Sequence, residues 1–421
     1  MKTIRTGSRY VSLLLLAGGL AVCGFAGAQQ FSYFSRLKEA EARAGTPAVF
    51  ARLEAMQPER RAAFLEEERG TFDTLRTMRS LSGDADGAAR ASVWFDIGSD
   101  TPASYAAHGG EALAGALPED AVQAIVCEAG KRQVVILNEA HHVPLNRVFA
   151  GKLASALRKA GFAYLACEAF SEDMPAHPAS VRPEMGFYVK EPMYAAFVRG
   201  AIRDGWTFVH YDTYVQAPTQ AERNRLREIG AASNLVDRIF AADPKAKVFI
   251  YVGYGHARKQ READENNWKS LATLLKEKLG IDPLTVDQTI MYGRGDARVE
   301  HPQYRLAMQR FAPSAPVVLK AAAGGYAVIG GRGGYDMQVF HPDETAPTAA
   351  GRPLWMERQA GLRPHAVPAE LLPESGRRLI QAFHADDAPG GVPADMVMVE
   401  AGKPAAALML PPGRFRFAYE D

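Results

Sequence analysis

Glutamate and histidine gather at four points in this sequence where an apolar run stops. Asn138-Glu139-Ala140-His141-His142 follows the run Gln133–Leu137, and Glu168 follows Ala163–Cys167. His210-Tyr211-Asp212 closes the run that begins at Thr207, and Gly253-Tyr254-Gly255-His256 follows Lys247–Val252. A carboxylate beside an imidazole can do general acid–base work, because histidine titrates near neutral pH and the carboxylate fixes its tautomer. The same residue types can hold a divalent metal that activates water. In an extended chain, residues two apart share a face. Glu139 and His141 are therefore expected to point into one site, with His142 turned away or oriented by the loop. Gly253 and Gly255 permit a tight turn that would aim His256 back across the strand ends. The candidate catalytic residues are Glu139, His141, His142, Glu168 and His256, with Glu139, His141 and His256 as candidate metal ligands. His210 and Asp212 are candidates to support them, and Arg258 and Lys259 to hold an anionic substrate group.

Each residue also has a structural reading. Asp212 could cap a turn, Glu168 could pair with an arginine such as Arg147, and Arg258 and Lys259 could open a solvated helix. What favours a site is the repetition at four consecutive strand ends, since ligands of open α/β sheets collect outside the carboxyl ends of the strands. No G-x-S-x-G, H-E-x-x-H or GxxxxGK[ST] motif occurs, which argues against a serine hydrolase, a zinc peptidase of the usual type and a P-loop triphosphatase.

Those strand ends need a scaffold, and the sequence supplies an alternating one. The short apolar runs are separated by helical stretches at 121–129, 146–159, 194–204, 220–240 and 267–279. Strands apolar on both faces, alternating with helices, predict a mostly parallel sheet with flanking helices. Before this α/β core (93–300), residues 29–92 read as a helical segment, with Thr46-Pro47 and Pro58 as helix starts and 82–87 as a turn cluster. After it, 301–421 is rich in Pro and Gly, with short apolar runs at 316–319, 326–329, 396–399 and 407–410. That pattern predicts a small β-rich C-terminal region.

The 421 residues carry 49 basic and 48 acidic side chains. That near-balance gives no strong field for steering toward nucleic acid or an anionic membrane. Lys2, Arg5 and Arg9, the apolar run Val11–Val22 and Ala26-Gly27-Ala28 have the form of a signal peptide over 1–28. Acylation at Cys23 is the alternative, with Val22 a poor match before it. A periplasmic or secreted protein without stable membrane insertion is expected. Cys127 and Cys167 are expected as buried thiols, one disulfide being the other option.

The strand-end motifs resemble the superfamily that joins erythromycin esterases, Tiki-type metalloproteases and ChaN-like haem-uptake proteins. Ile136–His142 resembles its Gly-Glu-x-His or Gly-Glu-x-x-His strand end, Cys167-Glu168-Ala169 its second-strand glutamate, and Val252–Ala257 its late Gly-x-Gly-His. Gly280-Ile281-Asp282-Pro283 fits the segment that follows, and the likeness spans about 120–295. Asn138 departs from the family's glycine, and His141 and His142 each satisfy one form of the spacing. The resemblance implies a hydrolase of ester or amide bonds acting on a small molecule or peptide, with or without manganese, zinc, cobalt or iron. It also admits a haem- or metal-binding protein, with His141, His142 or Tyr254 as axial ligands. A third reading is an extracytoplasmic binding protein with an inactive core.

Overall fold

The computed structural model describes residues 31–45, 48–97, 113–259, 268–329 and 334–421. The expected signal peptide, Cys23 and the Thr46-Pro47 helix start lie outside these. The central feature is the α/β sheet that the alternating pattern predicts, with flanking helices, a helical N-terminal segment and a small antiparallel C-terminal sheet.

The sheet holds eight strands: β1 (Leu117–Asp120), β2 (Val134–Glu139), β3 (Tyr164–Cys167), β4 (Thr207–Val209), β5 (Val248–Gly253), β6 (Leu284–Asp287), β7 (Val317–Lys320) and β8 (Met337–Phe340). Their order is β1-β7-β8-β6-β2-β5-β3-β4. The six strands from β8 to β4 run parallel, and β7 and β1 are antiparallel additions at one edge. From β2 the chain moves outward to β3 and β4, returns to lay β5 against β2, then crosses to β6 on the other side. The reversal falls at β2 and β5, and such reversals are where open sheets bind ligands.

Both faces of the central strands are apolar because helices cover both. Val135, Leu137, Phe249 and Tyr251 pack with Phe149 and Leu153 of Pro144–Lys159 and Phe197 of Pro192–Arg203. Val134, Ile136, Val248 and Ile250 pack with Ala231 and Leu235 of Gln220–Leu235 and Leu275 of Leu271–Leu279. The residues on each face alternate along a strand, as the pleat demands. Five helices, Tyr33–Ala44, Ala48–Ala55, Pro58–Glu67, Arg69–Leu81 and Ala85–Ile97, form the N-terminal segment.

Two expected boundaries shift. The last N-terminal helix runs to Ile97, past 92, because 82–84 is only a tight turn before it. Strands β7 and β8, beyond residue 300, hydrogen-bond into the core sheet. The C-terminal sheet begins later, with Arg377–His384 between Asp395–Glu400 and Phe415–Glu420. The run 326–329 makes no strand, only an isolated bridge from Tyr326 to Lys320. Cys167 is buried, but Cys127 is exposed and both thiols are free, so neither the buried pair nor a disulfide forms. Among the described residues no helix is long and apolar enough to cross a membrane.

Candidate functional site

Glu139 ends β2 at 2% exposure. A carboxylate so buried needs a counter-charge, and Arg147, four residues into the next helix, provides it. Its Nε donates to Glu139 Oε2 at 3.0 Å and its Nη2 to Oε1 at 3.2 Å. Nη1 donates to Glu191 Oε2 at 3.0 Å, and Nη2 also reaches the His141 carbonyl at 2.6 Å. Burial pushes the Glu139 carboxyl up, but Arg147 and His141 outweigh it and hold it at about 2.

His141 Nδ1 lies 2.8 Å from Glu139 Oε1. Against an ionised carboxylate Nδ1 carries the proton, and in the neutral ring Nε2 is then the acceptor. The ring stacks on Tyr188, with centroids 4.3 Å apart, and meets Tyr254 edge-on at 5.1 Å. Gly253 pairs with Glu139 in the β2–β5 register, and its lack of a side chain matters here. A Cβ there would stand 2.5 Å from His141 Cε1 and Nε2 and 3.0 Å from Glu168 Oε2. Gly253 is thus the floor on which His141 and Glu168 meet.

Glu168 Oε2 accepts the Gly253 N–H at 2.5 Å, and Oε1 accepts Arg227 Nη2 at 2.5 Å. Arg227 also binds Asp212, through Nε at 2.8 Å and Nη2 at 2.6 Å. Burial raises the Glu168 carboxyl, but Arg227, His256 and His141 draw it well below the usual carboxylate range. His256 lies in the 3-10 turn Tyr254–Ala257. Its Nδ1 hydrogen-bonds Glu228, and its Nε2 is 3.9 Å from Glu168 Oε1. Burial would lower the imidazole, but Glu228 and then Glu168 raise it to about 9. Between Glu168, Arg227, Glu228 and His256 is a space of about 10 Å³, close to what one water needs.

Glu139, His141, Glu168 and His256 are therefore brought together in one continuous cluster. His142 is not part of it. Its Nδ1 is 3.3 Å from the Tyr254 hydroxyl, and it lines a separate cavity of about 560 Å³ that none of those four residues lines. Asp212 joins the cluster through Arg227. His210 does not, because its Nδ1 is held 2.7 Å from the Phe170 carbonyl. Arg147 pairs with Glu139, and the arginine on Glu168 is Arg227. Lys259 is engaged by Asp282 and Asp336.

Asn138, which stands where the resembled family has glycine, is a buried bracket. Its Nδ2 donates to the Tyr254 carbonyl at 2.9 Å and to Asp287 Oδ1 at 2.8 Å, and its Oδ1 accepts the Gln288 N–H at 2.9 Å. It ties the ends of β2, β5 and β6 together.

The residues were tested for a metal. Among the described residues no three His, Cys, Asp or Glu side chains form a group that could hold an ion. Both Glu139 oxygens are occupied by Arg147 and His141, and both Glu168 oxygens by Arg227 and Gly253. Glu139, His141 and His256 are not grouped as a ligand trio among the described residues.

Sequence reading missed Arg227, Glu228, Glu191 and Tyr188. A signal existed for one of them. Glu228 heads the buried stripe Ala231, Ala232, Leu235 of its helix, so a charge occupies a core position.

No family model and no curated protein matches the chain. Solved structures give distant likenesses. The type III effector HopBA1 is 12% identical at a TM-score of 0.30, over 56% of this chain and all of that one. Two bacterial protein toxin structures are 13% identical at TM-scores of 0.32 and 0.30. They cover 65% and 60% of this chain, and 69% and 52% of their own.

Proposed function

We propose that this protein is an exported hydrolase of ester or amide bonds in a small molecule or peptide, working in the periplasm or outside the cell. The observation that carries the reading is the pair of histidine–carboxylate contacts, of opposite poise, on either side of Glu168. His141, oriented by Glu139, has an accepting Nε2 and serves as general base. His256, raised to about 9 by Glu228 and Glu168, is a cation at neutral pH and serves as general acid.

In this mechanism His141 Nε2 takes a proton from water as the water oxygen bonds to the carbonyl carbon. When the tetrahedral intermediate collapses, His256 Nε2–H gives its proton to the departing alkoxide or amine. Glu168 stabilises the cationic form of His256 through the 3.9 Å contact and is itself kept ionised by Arg227. Glu139 stays ionised throughout, so it steadies the imidazolium that forms on His141. In this mechanism Glu139, His141, Glu168 and His256 act through proton transfer and charge alone.

The test is hydrolysis of 4-nitrophenyl esters and aminoacyl 4-nitroanilides by the mature protein, before and after dialysis against EDTA. His141→Ala should lower kcat/KM by about 10²–10⁴-fold, the usual worth of a general base, and EDTA should change nothing. Wild-type rates in His141→Ala, or no turnover on either substrate class, would sink the reading. Activity lost to EDTA and restored by manganese or zinc would replace the metal-free mechanism.

A further inference from the structure

Tyr254 stands between two histidines. Its ring edge meets His141, and its hydroxyl meets His142. Beyond His142 lies the cavity of about 560 Å³, walled by the helix Ala85–Ile97, residues 142–145, 292–296 and 343–347, and Trp355. The volume lies within the range of small-molecule sites, about 300–1,000 Å³.

Two cavity-lining residues, His142 and Ser92, are each 5% exposed. His142 Nε2 and Ser92 Oγ are buried and have no hydrogen-bond partner among the described residues. Buried polar atoms are normally bonded, so a ligand that reached this pair would supply bonds that the described residues do not. The tautomer of His142 follows from its neighbours. Arg76 Nη2 can only donate to the Tyr254 oxygen, at 3.4 Å. Assigning the tyrosine proton to His142 Nδ1 puts the ring proton on Nε2. Burial, with Arg76 and Arg294 nearby, keeps the ring neutral. His142 and Ser92 thus offer an N–H donor and a hydroxyl, which suit a carbonyl oxygen.

The charged part of the lining is mostly acidic. Asp96 is paired with Arg294 and Asp296 with Arg298. Asp86 and Asp343 remain, against the single exposed Arg90. That balance favours a cation over an anion. Val93, Val299 and Trp355 between them supply apolar wall.

We propose that this cavity binds a small cationic amide with an apolar body, such as the amino-terminal end of a hydrophobic peptide. Its carbonyl oxygen takes the His142 Nε2–H and its ammonium group lies near Asp86 and Asp343. This is a binding site distinct from the His141 cluster, and it does not depend on hydrolysis there.

Calorimetric titration tests it with three probes: leucyl-leucinamide, N-acetyl-leucyl-leucinamide and hexanoate. Each is run on wild type and on His141→Ala, which removes turnover but not the cavity. Ala89→Trp and Ala346→Trp fill the cavity from two separate walls, so one remains informative if the other fails to fold. The expected result is one-site binding of leucyl-leucinamide, equal in wild type and His141→Ala, at least tenfold weaker for the acetylated probe, and lost in both tryptophan variants. No saturable binding, tighter binding of hexanoate, or binding untouched by the tryptophans would overturn the proposal. Binding lost in His141→Ala would overturn the separateness of the two sites. Failure of the ester and anilide assays with binding intact would count against the hydrolase alone.

Discussion

The two histidine–carboxylate pairs use the same side chains, and their charges are balanced differently. Glu139 has an arginine of its own, with two guanidinium contacts closing both oxygens, and His141 is an added partner. Among the described residues Glu228 has no such arginine in contact, and its Oε2 has no hydrogen-bond partner. His256 is the cation that Glu228 faces, and it is raised to about 9. What sets the role of each imidazole is therefore the neighbour of the carboxylate. A carboxylate neutralised by arginine orients a histidine, whereas one left without arginine holds its histidine charged.

The largest effect should come from removing the difference. Arg147→Met leaves Glu139 and Glu191 buried without their counter-charge. Breaking a buried pair in this way typically costs about 3–5 kcal/mol. Denaturant unfolding should show that loss, and any folded fraction should hydrolyse far more slowly because Glu139 no longer presents a fixed oxygen to His141. Wild-type stability in Arg147→Met would mean that the Glu139 cluster is not held by this ion pair.

Glu228→Gln acts on the other pair. Without the carboxylate the His256 cation loses its main support, and the basic limb of the rate profile should move down from near 9 by about a unit or more. The same group links to stability. Its raised folded value means that its contribution is whole below about 6.5 and fades as pH rises through about 9. Glu139 has the opposite sign, since its lowered value makes the contribution whole above about 4.5 and lost as pH falls through about 2. A basic limb unmoved in Glu228→Gln would remove His256 from the acid role.

Gly253→Ala tests the floor shared by both pairs. The new Cβ must displace His141, which is confined by Tyr188 and Glu139, or push on Glu168. We expect kcat to fall by about tenfold or more, as small misplacements at a reacting group commonly cost. Thermal stability should change less than in Arg147→Met.

Much of this arrangement was legible in the sequence, and the part that was not has physical reasons. Glu139, Glu168 and His256 could be placed because strand ends converge in any parallel sheet. The pairing of Glu139 with His141 followed from their two-residue spacing. Arg227 and Glu228 were hidden because they reach the site from a helix 28 residues before His256 in the chain, and helix periodicity does not say which strand end a face covers. Strands β6 and β8 escaped because polar residues that the fold buries interrupt their apolar runs, Thr285 and Asp287 in β6 and Gln338 in β8. Asn138 looked like a departure from the resembled motif, yet it is the bracket that fixes the β2 edge. His142 carries the family spacing as well as His141 does, and only the fold shows that the two rings face different spaces.

The smallest expected effect concerns Lys259, which from sequence could have held an anionic substrate group. Its ammonium lies 3.2 Å from Asp282 and 2.7 Å from Asp336, with the side chain 19% exposed. Two carboxylates already neutralise it, and Asp282 has Arg132 and Lys276 as further partners. A charge so engaged has little left to offer an incoming anion. Lys259→Ala should therefore cost about 0–1 kcal/mol, as partly exposed ion pairs do, and leave kcat/KM unchanged for neutral and anionic esters alike. A KM that rises only for anionic substrates would mean that Lys259 leaves its partners during turnover. The comparison between the two histidine pairs would then need a third, mobile charge beside His256.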